Sequence, residues 1–258
     1  VVDNRPGGAF NIGARACAEA PPDGYTICIL PSDVLQYNRF QFKSLPYDLF
    51  KDLEPVTLLF FLTQVMAVSA DLHVSTFDEL AALSKAKPGT LSYSAPAVPH
   101  QIFIEEWKAR SGADIVRVPF RGGGEAVNGM LTGTTPVAFF GLGNLIAHLR
   151  SIKGIAIDAS KRSPLFPDIP TLKEVGATED VTQADFAIWA PKGTSKALAH
   201  KIRDDIAAIG NEPSFRDKVL VQRGLDPQFS TPEQFADYLQ KSRVIAEATA
   251  KKGNLQPQ

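Results

Sequence analysis

Ser94 and His100 stand six positions apart in LSYSAPAVPH and form the one pair placed to act as nucleophile and base. Acyl transfer by such a pair needs a hydroxyl activated by an imidazole that a third group orients. Ser94 lacks the flanking glycines of a nucleophile elbow, and no feature of the sequence marks the third member. His73 falls in a polar turn, His148 at a helix end and His200 on a solvated helix face. The histidines lack metal-ligand spacing, and the adjacent Glu105 and Glu106 diverge on a helix. No catalytic residue, metal or cofactor is therefore expected.

A different chemistry is written in the turns. VPFRGGGEA at 118–126 sets three consecutive glycines ahead of an expected helix. Each costs backbone entropy on ordering, so something must come close to the main chain there. The stretch lacks the lysine of G-x-x-x-x-G-K-[ST] and is not a G-x-G-x-x-G after a first strand, so phosphate is not the expected guest. Small residues recur at the same structural place in Pro6-Gly7-Gly8, Ser94-Ala95-Pro96-Ala97, Arg121-Gly122-Gly123-Gly124 and Gly141-Leu142-Gly143-Asn144. In open α/β sheets the carboxyl ends of strands face helix N-termini, whose free N–H groups suit an anion. Tight packing of helix on strand, with no ligand, would use the same residues.

The elements that must hold these turns alternate along the chain. Helix is expected over 11–20, ended by Pro21-Pro22-Asp23-Gly24, and strand over YTICIL, followed by a polar, aromatic segment. Strands follow at KDLEPVTLLF and QVMAVS, then a helix capped at Ser75-Thr76 that stops at Pro88-Gly89. LSYS is a strand and Pro99 opens the next helix, where its missing N–H costs nothing. Strand and helix then alternate to IKGIAI, a proline-punctuated loop leads to the strand FAIWAP, and three helices close the chain, one opened by Ser230-Thr231-Pro232-Glu233. The alternation predicts parallel sheets flanked by helices.

The chain has 258 residues, 44% of them hydrophobic and 21% charged, enough for one large domain or two lobes. A formal net charge of −1, with no run of Lys or Arg longer than two, offers nothing to nucleic acid. No stretch has the roughly 18–20 apolar residues of a membrane span. Cys17 and Cys28, eleven positions apart, read either as two small buried residues or as a single disulfide made in an oxidising compartment.

In unbroken order, NRPGG, NIGA, APPDGYT, LPYD, KDLEPVTLL, KPGTLSYS, VPFRGGGEAVNGMLTG, PDIPTLKEVG and APKGT resemble the Bug-type periplasmic solute receptors of tripartite tricarboxylate transporters. The resemblance runs along essentially the whole chain. It implies an α/β, two-lobed fold of the Venus-flytrap kind that closes over a small organic carboxylate and delivers it to membrane permease subunits. The expected protein is periplasmic, monomeric and not an enzyme. Its lobes are expected at 1–95 with 192–258, and at 96–191. A sensing role beside a two-component system, or a Ser/His hydrolase, are the alternatives.

Carried over by position, the carboxylate loop falls on Ser94, Ala95, Ala97, Val98 and His100, and the glycine turn on Arg121, Gly122 and Gly123. The next loop falls on Gly141, Leu142, Gly143 and Asn144, while Phe10, Asn11 and Ser32 stand where the family also approaches ligand. The family's first loop usually reads GSSGxGxxxH, whereas this chain has SAPAVPH. Fewer hydroxyls there, with Phe139-Phe140 nearby, imply a more apolar ligand, such as an aromatic acid or a longer diacid. Members of the family begin one strand, one glycine-rich turn and one helix earlier, so that first unit is expected to be missing here.

Overall fold

The computed structural model describes residues 1–120, 123–177 and 183–257. Its first half runs α1 (Asn11–Ala18), β1 (Cys28–Leu30), α2 (Ser32–Gln41), β2 (Leu53–Leu62), β3 (Gln64–Ser69), α3 (Phe77–Ala86), β4 (Leu91–Ser94), α4 (Val98–Ser111) and β5 (Ile115–Arg117). The second half runs α5 (Gly123–Leu131), β6 (Val137–Gly141), α6 (Leu142–Ala147), β7 (Ile152–Asp158), β8 (Asp185–Pro191), α7 (Lys196–Gly210), α8 (Pro213–Phe215), β9 (Leu225–Pro227) and α9 (Pro232–Lys252).

Local chemistry sets many of these bounds. The Thr76 and Ser195 hydroxyls accept from the N–H groups of Glu79 and Leu198, satisfying donors that the first turns of α3 and α7 leave open. A capping box does open α9, but between Thr231 and Gln234 rather than Ser230 and Glu233. Three segments depart from the expectation. α2 occupies the polar, aromatic segment to which no element was assigned, the second of the three closing helices breaks into α8, a π-helical turn at Arg216–Leu220 and a 3₁₀ turn at Val221–Arg223, and β9 forms in the link before the last helix.

Contacts divide the chain into two units. The first comprises Val1–Phe61, Ala184–Val221 and Leu225–Gln258; the second comprises Leu62–Gln183 and Gln222–Gly224. The boundaries thus fall at 61/62 and 183/184, not at the connections expected near 95 and 191. The cause lies in strand pairing: β3 bonds to both β6 and β7, which places 62–95 in the second unit, while β8 bonds to β1 and β2 and so belongs to the first.

The sheet of the first unit has the order β1-β8-β2-β9, that of the second β5-β4-β6-β3-β7. Neither is wholly parallel, as the alternation had predicted. β4 pairs parallel with β5 and β6, but β3 runs antiparallel to β6 and β7, and β8 antiparallel to β1 and β2.

Side chains alternate between two buried faces of each sheet, which explains the nearly continuous apolar strands. In the second unit Met66, Val68, Val137 and Phe139 enter one core, and Val65, Ala67, Ala138 and Phe140 the other. In the first unit Ala187 and Trp189 face one core, Ile188 and Ala190 the other. Cys17 of α1 is bonded to Cys28 of β1 in a disulfide, which resolves the two readings of that pair. Among the described residues no helix is long and apolar enough to cross a membrane.

Candidate functional site

Strand register brings the small-residue turns of the second unit to one rim. Ser94 at the end of β4 lies beside Ala138 of β6; Gly141 at the end of β6 pairs with Gln64, which pairs in turn with Asp158 at the end of β7. The turn after β6 also meets the start of α5. A Cβ placed on Gly123 would lie 3.3 Å from Phe140 Cβ and 3.7 Å from Asn144 Nδ2. The backbone can approach there because Gly123 has no side chain. The Cβ of an alanine at Gly143 would stand 2.7 Å from the Arg223 carbonyl oxygen, so this glycine serves packing against 222–224.

Helix starts at this rim are open. Ala97, at the N-terminus of α4, and Gly141, at that of α6, are extended residues, and neither helix has a side-chain cap. Pro99 removes one donor from the first turn of α4, and the Leu142 N–H already donates to Thr63 O at 2.8 Å. The Leu142 side chain is fully buried and packs in the core, whereas Asn144 is exposed. Arg121 and Gly122 lie outside the described residues.

Two buried polar atoms at the rim have no partner among the described residues: Ser94 Oγ and His100 Nδ1. The other ring nitrogen of His100, Nε2, is 2.8 Å from Asp158 Oδ2, and the ring stacks on Phe139 at 4.2 Å between centroids. The sequence had not marked Asp158; its one signal is its place at the carboxyl end of the apolar strand IKGIAID. Serine, histidine and aspartate are thus present, but Ser94 makes no hydrogen bond to His100, and the ring is only 1% exposed. Nucleophilic activation needs that bond.

Around the free atoms the walls are apolar. Ala95 and Val98 are buried, Ala97 is half-buried, and the Gln101 amide donates to Ala95 O at 2.9 Å, fixing the loop. Phe139 and Phe140 contribute less than expected. Each is 1% exposed, because alternation along β6 sends them into the two cores of the sheet rather than to the rim.

The first unit gathers a second set. Phe10 has a left-handed backbone, and its ring meets Phe186 edge-on at 6.3 Å. Asn11 is buried, its Oδ1 accepting from Asn38 Nδ2 at 2.7 Å and the Tyr47 hydroxyl at 2.8 Å. Ser32 opens α2 and is fully buried. Its N–H and hydroxyl donate to Asp185 Oδ1 at 2.7 and 2.5 Å, and the Asp33 N–H reaches the same oxygen at 3.4 Å. The donors of Ser32 are thus taken by a carboxylate from the protein itself, which the sequence had not marked. Burial pushes the Asp185 carboxyl above its ordinary range, against the opposing pull of the Ser32 donors.

Comparison with known proteins completes the picture. Residues 1–256 match the model of a family described as tripartite tricarboxylate transporter family receptor. Protein BugT of Bordetella pertussis is 32% identical over 97% of this chain and 80% of its own length. A solved periplasmic transporter superposes with a TM-score of 0.88 at 30% identity, covering 99% of this chain and 87% of the other. Rpa4515 of R. palustris, solved with adipate, gives 0.89 at 25% identity over 100% and 87%.

Proposed function

We propose, since this chain belongs to the receptor family of tripartite tricarboxylate transporters, that it captures a small organic dicarboxylate in the periplasm and hands it to the permease subunits of such a transporter. The carrying observation is the rim of the second unit. There Ser94 Oγ and His100 Nδ1 are buried without partners among the described residues, beside two helix starts whose N-cap residues make no side-chain cap. Buried polar groups are nearly always satisfied, so a polar guest is the physical complement of this rim. A carboxylate oxygen accepts from amide N–H groups and from the hydroxyl alike, each bond to a charge contributing about 1.5–3 kcal/mol.

The donors assigned to that guest are the Ser94 hydroxyl and the main-chain N–H groups at Ala95, Ala97, Val98, Gly123, Gly141, Gly143 and Asn144, with the His100 ring, held through Nε2 by Asp158, bordering the same place. Arg121 and Gly122 belong to the same turn in sequence. The apolar Ala97 and Val98 favour a ligand with a hydrocarbon body. The adipate held by the R. palustris relative supports a linear diacid longer than four carbons. A periplasmic location agrees with the disulfide, since such bonds persist in oxidising compartments. The receptor acts as a monomer and makes or breaks no bond, the reading favoured by the missing Ser94–His100 contact.

A thermal-shift panel of mono-, di- and tricarboxylates, aromatic acids and uncharged amides tests this function, because a ligand bound only by the native state raises its melting temperature. Stabilisation by linear diacids is expected. Stabilisation by an uncharged compound and by no acid would overturn the assignment.

A further inference from the structure

Away from the rim, the first unit holds a cavity of about 540 Å³ between α2, the 42–51 segment and α9. That volume lies within the range of small-molecule sites. Gln36 and Arg39, three residues apart on α2, share one helix face and both line it. The Gln36 amide takes its orientation from Ser242. Ser242 Oγ spends its proton on the Tyr238 carbonyl at 2.8 Å, so it accepts from Gln36 Nε2, also at 2.8 Å. This leaves Gln36 Oε1, on a side chain only 2% exposed, buried with no partner among the described residues.

Arg39 offers the complementary group. Its Nη2 donates to Glu247 at 2.7 Å, yet its Nε is buried without an acceptor among the described residues. Charge around the cavity is positive: Arg39, Lys43, Lys51 and Arg243 line it against Asp48. One carboxylate, that of Glu247, serves both arginines, and Lys51 pairs with Asp48, while the exposed Lys43 makes no ion pair among the described residues. Phe42, Phe50 and Leu45 supply apolar wall, with the Arg243 guanidinium 5.0 Å above the Phe50 ring.

We infer that this cavity is a second ligand site, taking a small 2-hydroxy acid with an aromatic body. The carboxylate accepts from Arg39 Nε, the neighbouring hydroxyl donates to Gln36 Oε1, and the ring lies against Phe42 and Phe50. An acceptor and a donor on adjacent carbons match a free donor and a free acceptor one helical turn apart. The site is independent of the receptor function proposed above and would stand if that function failed.

Calorimetric titration of the full chain with mandelate tests it, beside phenylacetate, which lacks the hydroxyl, and lactate, which lacks the ring. Mandelate is expected to bind at least tenfold more tightly than either, since a lost hydrogen bond to a buried group or a lost aromatic body each costs about that much. Arg39→Lys keeps the charge and removes the Nε donor, and should weaken mandelate roughly tenfold. Lys43→Glu, at an exposed position, should weaken it several-fold. Failure of mandelate to bind at millimolar concentration, with water alone filling the cavity, would overturn the inference. So would equal binding of phenylacetate, or loss of mandelate binding in Ser94→Ala with Arg39→Lys unaffected, which would place it at the rim of the second unit.

Discussion

At the scale of single residues, Ser94 separates binding from stability. Its buried hydroxyl has no partner among the described residues, so Ser94→Ala removes an unsatisfied group at no structural cost. The variant should melt at the wild-type temperature or slightly above it, and bind the rim's acid roughly tenfold more weakly, as loss of one hydrogen bond to a charge requires. Parallel thermal and calorimetric measurements check both halves; a fall in melting temperature with unchanged affinity would return Ser94 to a structural role. Asp185 behaves oppositely. Its carboxyl is raised by burial above the 3.8 of an exposed aspartate, so the folded chain holds the proton more tightly than the unfolded one. Its contribution to stability is fullest below pH 3.8 and is lost as pH rises through the folded value. Wild type should therefore gain stability relative to Asp185→Asn as pH falls from neutrality toward 4, in urea titrations across that range. A difference that does not change with pH would contradict the assigned shift.

Elements were legible where a local signal was strong. QVMAVS and LSYS form the expected strands residue for residue, and Pro99 opens α4 as foreseen. α2 escaped because SDVLQYNRFQ has no sustained apolar period; what fixes it is tertiary, namely the Asp185 carboxylate at its N-terminus and α9 along its side. The pairing of Cys17 with Cys28 could not be decided from an eleven-residue spacing alone. Closing a loop of that size restricts the unfolded chain, so replacing both cysteines by alanine should cost about 2–4 kcal/mol. Guanidinium unfolding of the double variant measures this, and an unchanged midpoint would show that α1 and β1 are held by packing alone.

For the whole molecule, the order of small motifs identified the family, and the comparisons bear that out. Strand partners were less readable. A sequence states where strands begin and end, but the choice between a parallel and an antiparallel neighbour rests on contacts far apart in the chain, as with β3 and β6. The same limit hid Asp158 and Asp185, which reach His100 and Ser32 across 58 and 153 positions. The rim's turns were legible because glycine and alanine in a strand-to-helix connection announce close approach, though not of what. What must distinguish the guest is its charge, because amide N–H groups and a hydroxyl bind an ionised carboxylate more strongly than a neutral carbonyl. Calorimetric titration of adipate against adipamide, equal in length and different in charge, is the most direct test. The diacid should bind at least tenfold more tightly than its diamide, whereas equal affinity for the two, or preference for the diamide, would contradict recognition of a carboxylate.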